Sequence, residues 1–164
     1  MDAASLGSLM ESAKKRFSVC HCLYTGDSEK SLGRVAPYLC AVQSKADIRS
    51  WYLEQGCGRS WGVWVVSAAG FDDCWKHFRK FLIVKAEGGK DLYFRFYDPR
   101  VLNIFLPTCD RHQLEEFFGP VKAFIAEDGK SGQVFRYELK DGNLVKQVQP
   151  MGQIFENDAK LVSG

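Results

Sequence analysis

The sequence lacks the features that define several large classes of protein. None of its apolar runs reaches the roughly 18 residues that cross a bilayer, and its first ten residues, MDAASLGSLM, contain no basic segment followed by an apolar one. Neither sign of charge predominates, because the sequence has 22 Lys and Arg and 20 Asp and Glu, which gives a net charge of +2. These absences predict a cytoplasmic protein without a membrane partner, and they disfavour binding to nucleic acid through counterion release.

The motifs of common catalytic sites are also missing. There is no GxSxG, no Walker loop and no GxGxxG that follows a strand. No linker rich in Pro, Gly or Ser interrupts the chain before about residue 150, so one domain over 1–149 and a polar tail over 150–164 are expected. A domain of this length buries a core large enough to fold without a disulfide or a metal.

The six cysteines are the first candidates for chemistry. In a chain of this length without a signal sequence they are expected to be reduced thiols, several of them among apolar neighbours. A zinc site drawn from Cys74, His77, Cys109 and His112 is one alternative, and a cysteine-dependent hydrolase with a distant histidine is another. Neither alternative has a local signature, so no catalytic residue, metal or other cofactor is predicted.

Hydrophobic periodicity predicts helices and strands that alternate over the first hundred residues and hairpins in the last third. Helices are predicted at 5–17, 28–35, 46–55 and 71–82. Two more are predicted to begin at Asp98, with Pro99 as the first helical residue, and at Asp110, which can form a capping box with Gln113. Strands are predicted at 17–24, 37–42 and 61–68, the last as a central strand covered on both faces. A hairpin over 81–98 and a meander over 121–149 are predicted to follow. The fold class is therefore α/β or α+β, a single domain with a mixed β-sheet flanked by helices and a C-terminal β-meander.

The predicted hairpin, with its turn at Gly88-Gly89, carries a row of aromatic and basic side chains. Alternation along its second strand places Tyr93, Arg95 and Tyr97 on one face and the apolar residues on the other. Two interpretations stay open. Either a helix covers this face and Arg95 pairs with a carboxylate such as Asp98, or the row is exposed and anchors a partner, since Tyr and Arg are enriched at the energetic centres of interfaces.

Four longer stretches, read together, carry a family resemblance: WGVWVVSA, HFRKFLIV, LYFRFYDPRVLNIFLPT and LEEFFGPVKAFIAED. They resemble the bacterial type VI secretion adaptor family, small chaperones that couple toxic effectors to the VgrG spike. The similarity extends from Asp2-Ala3-Ala4 to about residue 145. Its most specific part is the run Arg95, Tyr97, Asp98, Pro99 and Arg100, followed by Leu106, Pro107, Phe118, Gly119 and Pro120.

The resemblance implies a non-enzymatic protein of the bacterial cytoplasm that binds one effector and loads it onto the VgrG tip. The residues then expected to contact a protein partner are Arg79, Lys80, Tyr93, Arg95, Tyr97 and Arg100. The rest of the signature is expected to be structural or binding: Asp98, Pro99, Leu106, Pro107, Phe118, Gly119 and Pro120. The family pattern has a short apolar strand before Asp2, whereas this sequence begins at Met1, so the resemblance also implies a sheet edge that a partner strand could complete.

Overall fold

The computed structural model describes residues 1–42, 44–85, 89, 91–129 and 131–154. Its helices are α1 (Ala3–Leu6), α2 (Met10–Lys14), α3 (Asp27–Leu32), α4 (Lys45–Gln55), α5 (Phe71–Arg79), α6 (Pro99–Phe105) and α7 (Arg111–Phe118). Its strands are β1 (Phe17–Cys22), β2 (Tyr38–Val42), β3 (Trp64–Ser67), β4 (Ile83–Lys85), β5 (Asp91–Tyr93), β6 (Val121–Asp128), β7 (Gln133–Lys140) and β8 (Asn143–Pro150). None of the helices in these ranges combines the length and the apolar character that crossing a bilayer requires.

The described strands form three sheets, and every pair within them is antiparallel. β1 pairs with β2, β4 pairs with β5, and the four-stranded sheet has the order β3-β6-β7-β8. The α+β class and the C-terminal meander are confirmed. The sheets differ from the expected mixed sheet because no described pair is parallel. Short turns join β6 to β7 and β7 to β8, which only antiparallel strands allow, whereas helices lie between β1 and β2 and between β3 and β6. Gly88 of the expected hairpin turn lies outside the described residues.

Two hydrophobic clusters pack on opposite faces of the four-stranded sheet. The phenylalanine cluster contains Phe78 of α5, Phe117 of α7 and Phe124 of β6, and the ring centroids of the last two are 5.2 Å apart. The tryptophan cluster contains Trp51, Trp61 and, from β6, Ile125. Successive residues of β6 therefore enter opposite clusters, as the alternation of a strand requires. Burial of these large rings is the main favourable contribution to folding.

β3 is an edge strand of this sheet in the described structure, so the prediction of a central strand is wrong, whereas the predicted cover on both of its faces is observed. It pairs with β6 through Trp64↔Ile125 and Val65↔Phe124, and all four of its side chains are half-buried. Val65 packs against the phenylalanine cluster, whereas Trp64 and Val66 pack against the tryptophan cluster. Contacts above and below the sheet thus account for the apolar composition that suggested a central position.

Glu127, at the end of β6, connects the sheet to the loop that follows α4. Its side chain is buried and accepts hydrogen bonds from the Tyr52 hydroxyl at 3.0 Å, from the Gly58 N–H at 2.9 Å and from the Ser60 N–H. Burial, followed by the nearby Glu127 carboxylate, raises the pKa of Tyr52 well above its usual range. A buried carboxylate is tolerated here because three donors replace the water that it loses.

The packed unit continues past β8. Met151 and Ile154 are buried in the tryptophan cluster, so the chain is still part of the core at the first residues of the expected polar tail. Residues 155–164 lie outside the described ranges, and the tail there stays a prediction.

A disulfide joins Cys20 of β1 to Cys40 of β2, so the expectation of reduced thiols is wrong for these two residues. They are directly opposite each other in the antiparallel pair, and their Cα atoms are 4.1 Å apart. Opposite residues that do not share hydrogen bonds approach to about 4.5 Å, which brings their side chains together. Periodicity within one strand does not reveal such a pair, because the partner belongs to another strand.

We predict that the Cys20→Ser/Cys40→Ser variant loses about 3 kcal/mol of unfolding free energy, because the disulfide closes a loop with a sequence separation of 20 residues. Urea denaturation measures this loss. Alkylation of the unfolded, unreduced protein should modify the four free thiols Cys22, Cys57, Cys74 and Cys109, and all six after reduction. Six modified thiols before reduction would contradict the disulfide.

Candidate protein-binding surface

Arg95 of the signature neutralises a carboxylate that is almost completely buried. Its Nη2 atom donates a hydrogen bond to Asp2 Oδ2 at 2.8 Å and lies 3.9 Å from Asp98 Oδ2. Burial alone would lower the pKa of Arg95, but the hydrogen bond to Asp2 and the nearby negative charges together outweigh it and raise the pKa. The Arg95 side chain is still 45% exposed, so one edge of the guanidinium is held in place while the rest faces solvent.

Asp98 performs two tasks at the start of α6. It is the N-cap, with Pro99 as the first helical residue, as the sequence predicted. Its Oδ1 accepts hydrogen bonds from the N–H and the Nε of Arg100, at 3.0 and 2.9 Å, and its Oδ2 accepts from Nη2 at 2.6 Å. Burial alone would raise the pKa of Asp98, but these bonds from Arg100 lower it. The Arg100 side chain is 64% exposed, so the cap holds a second guanidinium at the surface.

The expected row of Tyr93, Arg95 and Tyr97 is not a single face. β5 ends at Tyr93, and the chain turns before α6, so the alternation of a strand does not continue to Tyr97. Tyr93 is 59% exposed, whereas Tyr97 is 8% exposed and belongs to the phenylalanine cluster. Burial also raises the pKa of Tyr97. The prediction of an exposed Tyr-Arg-Tyr row is therefore wrong for Tyr97, which is buried. The alternative prediction, that a helix covers the row, is wrong for Tyr93, which is exposed.

Tyr24, in the segment that follows β1, contacts the hairpin. Its ring packs edge-on against Tyr93, with centroids 6.0 Å apart. The adjacent Thr25 hydroxyl accepts a hydrogen bond of 2.7 Å from Arg79, whose guanidinium lies 4.4 Å from the centre of the Trp75 ring. Sequence reasoning missed Tyr24 because it lies far from the hairpin in the sequence and no motif includes it.

The β4–β5 hairpin exposes apolar side chains on both of its faces. Ile83 is opposite Tyr93 and Val84 is opposite Leu92, and opposite residues share a face. The four side chains are between 38% and 59% exposed. Single exposed apolar residues are common, whereas this short hairpin exposes two cross-strand apolar pairs, one on each face, which a partner could cover. We call Ile83, Val84, Leu92 and Tyr93 the hairpin surface.

Some of the remaining predicted residues are buried in the core, and the others are exposed to solvent. Leu106 and Phe118 are buried in the phenylalanine cluster, whereas Pro107 and Lys80 are exposed. Arg79 is half-buried and binds Thr25, whose neighbour Tyr24 packs against Tyr93 of the hairpin surface. No described contact links Lys80 to the hairpin surface. The Pro120 carbonyl accepts a 2.8 Å hydrogen bond from the Ser67 hydroxyl and so ties the start of β6 to β3.

Gly119 has a specific structural task between α7 and β6. Its φ of +46° is in the left-handed region, and a Cβ at this position would lie 2.3 Å from His77 Cε1. His77 is buried, its Nε2 lies 2.9 Å from the Phe117 carbonyl oxygen, and its burial lowers its pKa. Glycine is therefore required at this position for two reasons: the turn needs a positive φ, and the buried His77 imidazole leaves no room for a Cβ.

The structure does not bring the residues of the alternative zinc site together. Cys74 and His77 are buried, His112 is exposed, and in the described ranges no three His, Cys, Asp or Glu side chains are grouped as metal ligands would be. Burial raises the pKa values of Cys22 and Cys109. A nucleophilic cysteine requires the opposite change, because the thiolate is the reactive form.

We predict that Gly119→Ala lowers the free energy of unfolding by about 3 kcal/mol, through backbone strain and the displacement of His77. Gly132→Ala is the matched control. Gly132 has a φ of +68° but no heavy atom within 4 Å of an added Cβ, so it carries the backbone strain alone, about 1 kcal/mol. Equal losses in urea denaturation would show that the contact with His77 has no effect.

We further predict that Arg95→Gln lowers the free energy of unfolding by about 2 kcal/mol, because it leaves the buried Asp2 carboxylate without its charged partner. The loss is moderate because water reaches part of the guanidinium. Asp2→Asn keeps an N-cap and removes the charge, so the double variant Asp2→Asn/Arg95→Gln should recover most of the loss. Additive losses in this double-mutant cycle would contradict the coupling.

Comparison with known proteins gives one family match for this chain. The family described as a domain of unknown function, DUF4123, matches residues 1–116. This range includes every residue predicted to contact a partner, whereas Phe118, Gly119 and Pro120 follow it. No curated protein and no solved structure matches the chain. Because the match covers 116 of the 164 residues, the chain belongs to the DUF4123 family, the type VI secretion effector chaperones and adaptors that its signature resembles.

Proposed function

We propose that this protein is a non-enzymatic adaptor of the bacterial cytoplasm that binds a type VI effector and loads it onto the VgrG spike. Membership of the DUF4123 family supports the general role. The observation that carries the proposal is the hairpin surface, where four apolar side chains on two short strands are exposed on both faces. A partner that covers these side chains would remove them from water, which favours association.

The surroundings of the hairpin surface suit recognition of a protein. Arg95 lies two residues after the end of β5, and Arg100 lies in the first turn of α6, so two guanidinium groups follow the apolar hairpin closely in the chain. Both groups are fixed by buried carboxylates before any partner arrives, and a side chain that is already ordered loses less entropy on binding. Tyrosine and arginine in this arrangement are typical of residues that contribute most of the energy of an interface.

The charge of this surface favours a protein partner over a polyanion. Arg95 and Arg100 are balanced by Asp2 and Asp98, so these four side chains have no net charge together. Binding to a nucleic acid through counterion release needs a surplus of positive charge, which this group does not supply. We expect acidic residues on the partner to contact the exposed edges of the two guanidinium groups.

The alternative of a cysteine-dependent hydrolase or a zinc-binding protein has no supporting observation in the described part of the chain. The raised pKa values of Cys22 and Cys109 oppose a nucleophilic role, and the four candidate zinc ligands are not assembled. The binding function therefore stands as the one candidate.

We predict that Leu92→Ser/Tyr93→Ser lowers co-purification of the effector by roughly tenfold or more, because both side chains contribute apolar area to the interface. The tagged protein is co-expressed with the effector and the VgrG encoded by the neighbouring genes. Val148→Ser is the matched control, since Val148 is a strand residue that is 55% exposed on β8, away from the hairpin. Thermal unfolding should confirm that neither variant is destabilised by more than a few degrees.

Separate co-expressions with the effector alone, with VgrG alone and with both distinguish the two partners of an adaptor. An adaptor should retain the effector in the absence of VgrG and should retain both when all three are present. Failure of the unaltered protein to retain either partner would contradict the proposed function. Equal retention by the hairpin variant and by Val148→Ser would instead contradict the hairpin surface as the site.

A further inference from the structure

An open cleft lies between α2 and the 3₁₀ turn Gly33–Val35. It has an empty volume of about 940 Å³, and its walls include Lys14 of α2, Arg34 of the turn and the side chain of Tyr38. One carboxylate, that of Glu11, is among the described residues that line it. Two cations and one carboxylate give these walls a positive charge.

Lys14 is held in place at the wall of the cleft. Its Nζ atom lies 3.1 Å from Glu11 Oε1 and 4.4 Å from the centre of the Tyr38 ring, and the Tyr38 hydroxyl donates to the Gly33 carbonyl at 3.1 Å. Burial alone would lower the pKa of Lys14, but its contacts with Glu11 and Tyr38 together raise it, so the ammonium is charged at neutral pH. A side chain that is already ordered loses less entropy when a partner binds.

Three more cations lie beside Lys14 or across the cleft from it. Lys15 and Arg16 follow it directly at the end of α2, and Arg34 belongs to the opposite wall. All three are exposed, and none of them forms an ion pair with a carboxylate in the described part of the chain. We call Lys14, Lys15, Arg16 and Arg34 the basic surface.

Few carboxylates near the basic surface offset its charge. Glu11 pairs with Lys14, and in the adjacent helix α3 Asp27 pairs with Lys30 at 3.3 Å, which leaves Glu29 as the remaining carboxylate of that helix. Four cations thus lie near two carboxylates that could offset them, Glu11 and Glu29. The excess is local, because the whole chain has a net charge of only +2.

The basic surface and the hairpin surface lie on opposite faces of the β1–β2 pair. Tyr38, which contacts Lys14, packs against the tryptophan cluster, whereas its neighbour Leu39 packs against the phenylalanine cluster. His21 is opposite Leu39 and packs against Trp75 of α5, which is on the same side as Tyr24 and the hairpin. A protein bound at the basic surface therefore leaves the hairpin surface open to another.

The groups at the cleft fit an acidic segment of protein better than a nucleic acid. Carboxylates of such a segment can accept charged hydrogen bonds from the cations. The Glu11 side chain is 82% exposed and can accept from a peptide N–H, whereas it repels a phosphate backbone, which has no donor to offer. Val35, at the end of the turn, is 52% exposed and adds an apolar contact that a peptide can cover.

We propose that the basic surface binds an acidic segment of a second protein, so that this chain holds two partners at once. The identity of that partner rests on the proposed function: because the hairpin surface is assigned to the effector, the second partner is VgrG. Its carboxylates contact Lys15 and Arg34 at the rim and Lys14 inside the cleft. Exposed charges act mainly on the rate of association and are screened by salt, so binding of VgrG depends on ionic strength.

Reversal of two charges tests the basic surface. The variant Lys15→Glu/Arg34→Glu changes two exposed side chains, and Lys76→Glu/Lys122→Glu is the matched control, because it changes the net charge equally at exposed positions outside both surfaces. Each tagged protein is co-expressed with the VgrG of the neighbouring genes alone and, separately, with the effector alone. We expect the first variant to retain roughly tenfold less VgrG than the control, and as much effector as the unaltered chain. Thermal unfolding checks that both variants are folded.

A conservative variant and salt separate charge from shape. Lys15→Arg/Arg34→Lys keeps both charges and should retain as much VgrG as the unaltered chain. Retention of VgrG by the unaltered chain should fall between about 0.05 and about 0.5 M salt, more steeply than retention of the effector. Loss of VgrG in the conservative variant, or equal dependence on salt for the two partners, would contradict recognition through charge.

The outcomes separate this proposal from the proposed function. Equal retention of VgrG by Lys15→Glu/Arg34→Glu and by its control would overturn the basic surface as the site and leave the adaptor function intact. Loss of the effector instead of VgrG would overturn VgrG as the partner. Binding of a DNA duplex that the same reversal abolishes, with VgrG still retained, would identify a nucleic acid as the occupant. Failure of the unaltered chain to retain VgrG would overturn both proposals.

Discussion

The pairing of the buried Asp2 carboxylate with Arg95 is the contact on which the arrangement of the other elements depends. Through its side chain Asp2 caps α1 and binds Arg95, which is 93 residues away, and through its backbone it contacts Pro37 and Trp61. One residue thus connects the start of β2, the segment before β3 and the end of the hairpin. A buried carboxylate is stable only with donors and a positive charge around it, so these elements must converge for the chain to fold.

This constraint also shapes the surface. Arg95 and Arg100 are exposed because the carboxylates that hold them are at the boundary of the core, with Asp2 and Asp98 beneath and solvent above. Most of the other signature residues serve the scaffold: a cap, a first helical proline, buried side chains in the phenylalanine cluster and the glycine beside His77. A signature can therefore be specific to a family and still contribute only a few residues to its interface.

Local chemistry was predictable from the sequence, whereas contacts between distant segments were not. The N-cap at Asp98 and the capping box of Asp110 and Gln113 follow from short-range rules, and both are confirmed. The Cys20–Cys40 disulfide, the Asp2–Arg95 pair and the place of Tyr24 depend on which segments meet, and periodicity contains no information on this. The Tyr93–Tyr97 row failed for a related reason, because the turn that leads to the Asp98 cap ends the strand four residues earlier than alternation suggests.

The error at β3 concerns the groove between β2 and β3, which residues of both strands line. An apolar run such as WVVS is typical of a strand with neighbours on both sides, yet β3 has one neighbour in the described structure and its side chains are half-buried. β2, with the sequence YLCAV, shows the same mismatch between apolar composition and partial burial. Both mismatches face one groove, and a single strand placed there would resolve both of them. The composition of β2 and β3 is therefore typical of strands with a neighbour on either side, whereas the described structure shows one neighbour for each.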